Sequence, residues 1–201
     1  MMKKMGVDNI LFLMLMAIVP TVLVIVISFI FLLLPGAKNE IVQSLLVLPL
    51  SFILIPGIIL SRQGKVHLEE LGIKKFSKKD SVICTICCLV LYIYLLLNYE
   101  MRAIVLLSVQ TLIVAISEEF WARGVLFYVL RKIFSNWLAV VLISSVIFVF
   151  VTHMNRDIIE NLLYRMPGAL IMGLIYQKTE KLQYSIREYP KVCVNLQTDV
   201  R

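Results

Sequence analysis

Residues Ile104–Lys132 read IVLLSVQTLIVAISEEFWARGVLFYVLRK, and three formal charges, Glu118, Glu119 and Arg123, stand in the middle of this apolar run of membrane-spanning length. At mid-bilayer each such side chain is unfavourable by roughly 2.5–3.5 kcal/mol, so three unpaired charges would cost about 8–10 kcal/mol. They must therefore face protein or water. Glu119 and Arg123 are four apart, which on a helix stacks them on one face as an ion pair. Glu118 lies about 100° round from Glu119 and can point into a different space, which leaves one carboxylate for chemistry. The plainer alternative is a structural ion pair with an extra glutamate at a helix contact. Because ionisable groups inside a membrane are functional by default, the chemical reading is preferred.

The rest of the chain fits a membrane setting. Of its 201 residues 60% are hydrophobic and the mean hydropathy is +0.91, well above the roughly 45–50% apolar content of soluble domains. Met1 to Asn9, with Lys3 and Lys4, precedes about 25 apolar residues, Ile10 to Leu34; that run is too long for a signal-peptide core and lacks a small-x-small cleavage site, so it is expected to stay as a first span. The net charge of +7 does not point to nucleic acid, because the basic residues gather in short loops between spans. Cys84, Cys87 and Cys88 fall within one apolar run and Cys193 lies apart, which is no disulfide framework.

Judged against a hydrocarbon core of about 30 Å, the chain predicts an all-α polytopic transmembrane bundle of about six spans. They are Ile10 to Leu34, kinked at Pro20; Ile41 to Leu60, bent or broken near Pro56-Gly57; Val82 to Asn98; the central helix; Trp137 to about His153; and about Ile158 to Gln177. Ala169 and Gly173 form a small-xxx-small face for close helix packing. The polar segment Ser61 to Asp80 is either a solvated loop or a surface element with Leu68, Leu71, Ile73 and Phe76 on the bilayer, and His67 is read as a surface residue. Lys and Arg concentrate after the second, fourth and sixth spans, which places both termini in the cytoplasm by the positive-inside rule. Residues 1–186 read as one membrane-embedded domain and 187–201 as a polar tail.

His153 ends the apolar run VVLISSVIFVFVTH. Counted from Arg131, Glu118 lies ~20 Å above the inner surface; counted from Trp137, His153 lies ~24 Å above the same surface. Sequential antiparallel helices are usually neighbours, so the two side chains can meet. A glutamate and a histidine converging in a partly wet, low-dielectric cavity form a base and an acid able to direct water at an amide.

These residues resemble a known family. Glu118-Glu119-xxx-Arg123 is similar to the EExxxR signature of the CPBP intramembrane proteases, also called the Abi or type II CAAX endopeptidase family, and His153 stands at that family's FxxxH histidine. The likeness runs from about Leu68 to Ile186. It departs at the position four before His153, which is Val149; Phe150, three before it, is expected to take the aromatic's place. It departs again after the Lys178-Thr179 turn, where the family has an apolar His-xxx-Asn helix and this chain reads KLQYSIREYPKVCVNLQTDVR, with no histidine. The resemblance implies Glu118 as general base, His153 as its partner and Glu119 with Arg123 as the supporting pair. It also implies that the usual oxyanion donor is missing and turnover slow, unless Asn155 or Arg156 substitutes.

A catalytic zinc takes three protein ligands and an open position. The candidates here are Glu118, Glu119 and His153, and metal-free glutamate chemistry is preferred over zinc. Expected partners are the lipid bilayer and a membrane-anchored or lipid-modified peptide. Two function classes follow: an intramembrane endopeptidase, and a catalytically impaired member acting as a partner-binding, regulatory or bacteriocin-immunity protein. A transporter or channel fits less well, since the charges cluster in one place.

Overall fold

A computed structural model describes residues 7–33, 40–63, 66–74, 82, 93, 101–154 and 156–186. Among these every regular element is helical, and the chain is an all-α membrane-protein bundle. Helix α1 is Val7–Leu33. Helix α2 covers 40–63, as Glu40–Pro49, a π-helical turn Leu50–Leu54, and Ile55–Gln63. A 3-10 turn follows at Leu68–Leu71. Helix α3 covers 101–133, with Met101–Glu119, a π-helical turn Phe120–Leu126, and Phe127–Ile133. Helix α4 is Trp137–Thr152. Helix α5 covers 158–179, with Ile158–Glu160, a π-helical turn Asn161–Arg165, and Met166–Thr179. The expected third span, 82–98, lies outside the described residues apart from Val82 and Ile93, as does the tail 187–201.

Among the described residues, three stretches are long and apolar enough to cross a membrane: Asp8–Phe31, Leu45–Arg62 and Ile158–Thr179. Helices suit this setting because they satisfy their own backbone where no water can. Leu11, Ile18, Ile25 and Phe29 on α1, and Leu162, Leu163, Ile171 and Leu174 on α5, are exposed, as side chains facing lipid tails would be. Helix α1 continues through Pro20, and α2 runs on past Pro56-Gly57 to Gln63 instead of breaking there. The irregularity in α2 sits directly after Pro49, where the missing N–H and the ring's clash with the preceding turn are absorbed by a wider turn in which Ile55 N donates to Leu50 O.

The core is organised by α3. Helix α2 packs along its first half, and α4 and α5 pack together across its second half. Trp121, fully buried, donates Nε1–H to Met16 O at 2.8 Å and so fixes α3 to α1, while Phe52 of α2 lies against the same indole at 5.1 Å. The small face of α5 forms as expected. A Cβ on Gly173 would meet Val141 Cγ1 at 3.1 Å and Ser145 Oγ at 3.5 Å, so its absence is what lets α4 and α5 approach.

Of the apolar residues expected on a bilayer surface, Leu68 and Ile73 are exposed, Phe76 lies outside the described residues, and Leu71 turns inward. Leu71 is buried in the bundle, with its carbonyl oxygen 3.2 Å from where a Cβ on Gly124 would stand. The turn closes on Gly72 at φ 83°, and a side chain there would meet Tyr176 Cε2 at 2.5 Å, so glycine is required twice over. Leu182 N donates to Gly72 O at 3.0 Å, and Lys74 Nζ donates to Glu180 Oε2 at 2.9 Å. Arg131 of α3 donates to Gln177 Oε1 at 3.0 Å and stands 3.4 Å from Glu180 Oε1. The Lys74 ammonium, with Arg131 adding to it, holds the Glu180 carboxyl below the usual carboxylate range. Segment 66–74 thus straps the basic ends of α3 and α5 together. His67 is exposed, as expected.

Candidate active site

The buried charges sit where α3 changes pitch. Glu118 and Glu119 close its α-helical first part, and Arg123 lies inside the π-helical turn that follows. A π turn carries an extra residue per turn and re-aims the side chains after it, and such turns recur at functional sites. Glu119 and Arg123 are both fully buried, Glu118 nearly so. Arg123 Nε stands 3.5 Å from Glu119 Oε2, the i,i+4 pair read from the sequence.

Arg123 is held from three sides. Besides Glu119, its Nη2 donates to the Ala169 carbonyl of α5 at 2.9 Å, and its guanidinium carbon lies 4.9 Å over the ring of Phe148 on α4. One charged side chain therefore ties three helices, and the small face of α5 makes the reach to Ala169 O possible. The pair is not saturated. Neither Glu119 oxygen, nor Arg123 Nε or Nη1, makes a hydrogen bond among the described residues, and the buried hydroxyls of Ser117 and Ser145 make none either. Such a concentration of unmet polar capacity inside an apolar bundle is costly unless water or a polar ligand meets it.

His153 approaches the same ring. Helix α4 has 16 residues and rises ~24 Å, short of the ~30 Å hydrocarbon thickness. His153 caps it with φ −121° and ψ 36°, off the helical path. Its imidazole meets Phe148 edge-on, with centroids 6.0 Å apart and planes at 87°. Phe148, five residues back, is thus the aromatic partner, and the expected Phe150 packs instead at the edge of the core. The helical wheel misplaced the partner because the histidine has already left the helix. Pairwise contacts thus link Glu119 to Arg123, Arg123 to Phe148, and Phe148 to His153.

Two further groups were not singled out by sequence. The Ala169 carbonyl is invisible to a side-chain motif. Asn161 of α5, 2% exposed, donates Nδ2–H to the His153 carbonyl at 2.9 Å; its signal in the sequence was a lone amide at the start of an apolar span. Of the two oxyanion donors weighed from the sequence, Arg156 is exposed and Asn155 lies outside the described residues. Among the described residues no group of three His, Cys, Asp or Glu side chains stands together as a metal site, and Glu119 has a guanidinium as its neighbour.

The fold and this site together define a membrane-embedded helical bundle with a buried glutamate–arginine centre. Residues 100–187 match the family model for Rce1-like type II CAAX prenyl endopeptidases, consistent with a member of the CPBP family. The match covers Glu118, Glu119, Arg123 and His153, and begins later than the likeness read from Leu68 onward. No curated protein and no solved structure matches the chain.

Proposed function

We propose that the chain is an intramembrane endopeptidase acting on a membrane-anchored or lipid-modified peptide, with Glu118 as general base and His153 as its partner. The observation that carries the reading is the Glu119–Arg123 pair, buried, within the family-matched segment, and locked by Ala169 O and the Phe148 ring that His153 also touches. Glu118 takes a proton from water, the hydroxide adds to the scissile carbonyl carbon, and the collapsing tetrahedral intermediate expels the amine, which leaves with a proton returned through the acid–base pair. Glu119 and Arg123 hold the site's shape and charge.

The test uses the purified protein in liposomes with a prenylated peptide bearing a C-terminal CAAX sequence, and mass spectrometry to find the new carboxyl terminus. Cleavage supports the peptidase. Retention of the intact peptide without cleavage favours the second reading, a partner-binding or immunity protein.

We place the mouth of the site by the same logic of charge. Lys74, Arg131 and Glu180 cluster at one end of the bundle, whereas His153, Asn161 and Arg165 cluster at the other. With the basic end cytoplasmic, Arg156→Cys in a background freed of native cysteines is expected to react with an impermeant maleimide on intact cells, and Lys178→Cys only after permeabilisation. The reverse pattern overturns the orientation.

A further inference from the structure

In the first turns of α5, Ile158, Ile159, Leu162, Leu163 and Tyr164 are exposed while the polar Asn161 is buried. That is the pattern of a lipid-facing helix with one amide turned deliberately inward, and an amide buried there is costly unless paired. Asn161 pairs at both ends. Its Nδ2–H donates to the His153 carbonyl at 2.9 Å, and its Oδ1 faces Arg165 Nη1 at 3.4 Å. Arg165 in turn stands 3.8 Å from Glu160 Oε2. The amide's orientation is therefore set by a cation that only its oxygen can face, which leaves the NH2 group for His153.

His153 needs such a hold. It has left the helix, so its backbone is fixed by few bonds: its N–H donates to Val149 O at 3.2 Å, and its carbonyl accepts from Arg156 N at 3.1 Å and from Asn161. We infer that Asn161 is a positioning residue for His153: by gripping the His153 carbonyl from α5, it fixes the imidazole against the Phe148 ring. A plain helix cap would satisfy the carbonyl without consequence for the ring. The positioning role predicts that the ring moves when the bond is lost.

For its effect on turnover this inference rests on the peptidase reading; for its effect on the ring it does not. The chain has two histidines, so 13C-histidine labelling in detergent resolves His153 from the exposed His67. Asn161→Asp keeps shape and the contact to Arg165 but loses the donor; Asn161→Ala is the second variant, and whichever folds carries the test. The expected result is a displaced His153 resonance with an altered titration, set against the charges that face it, Arg165 and Arg156, with His67 unmoved. Turnover of the prenylated peptide falls about a hundredfold with KM little changed, as for a reacting group displaced by about 1 Å. A His153 spectrum and titration identical to the parent's in a folded variant overturn the positioning role. If His153→Ala cleaves like the parent, or the parent does not cleave, the peptidase reading fails instead, and the spectra still decide the role of Asn161.

Discussion

Arg123→Ala is expected to destabilise the folded protein by about 3–5 kcal/mol, the usual result of removing one partner from a buried ion pair. The loss comes from three places. Glu119 would be left fully buried beside no cation, the Ala169 carbonyl would lose its donor from α3, and the Phe148 ring would lose the guanidinium above it. Since the pair joins α3, α4 and α5, the defect is not confined to one helix. Reduced folded yield and an earlier loss of helicity on heating in detergent are the measurements. Arg123→Lys should recover little, because a lysine ammonium cannot face Glu119, Ala169 O and the Phe148 ring together as the planar guanidinium does. Folded yield and heat resistance like the parent's would remove the structural role given to Arg123.

Glu118→Gln is expected to act chiefly on rate. The substitution keeps the shape of the side chain and removes the basic oxygen, and general base catalysis contributes typically about 10²–10⁴-fold. Glu118 is nearly as buried as Glu119, yet Arg123 pairs with Glu119, so neutralising Glu118 leaves the three-helix tie intact. Separating the two variants by stability and by turnover therefore tells the supporting pair from the base, although the residues are five apart in one helix.

The Glu119–Arg123 pair was readable before any coordinates, because four residues on a helix place two side chains together almost regardless of context. The membrane class and the small face at Ala169 and Gly173 were readable for similar reasons, since hydropathy and residue size act locally. What sequence could not supply were the three π-helical turns, because no hydropathy period reports an i to i+5 bond. That omission matters at Asn161, which opens the π-helical turn of α5 and points inward from a helix whose other first-turn residues face out; at His153 the cause is different, since the partner ring is Phe148 because His153 departs from the helix. The strap at 66–74 was equally hidden. Leu68, Leu71 and Ile73 suit a bilayer surface as well as a core, and only the close approaches at Gly72 and Gly124 put Leu71 inside.

The central claim is that the buried Glu118 carboxylate drives hydrolysis of a membrane-anchored peptide. It is tested most directly by following one prenylated CAAX peptide in liposomes with the parent and with Glu118→Gln, at matched folded protein, and quantifying the cleaved fragment by mass spectrometry. The account predicts cleavage by the parent and a rate at least about a hundredfold lower for the variant, with equal melting of the two proteins. Equal cleavage by the two proteins would contradict it.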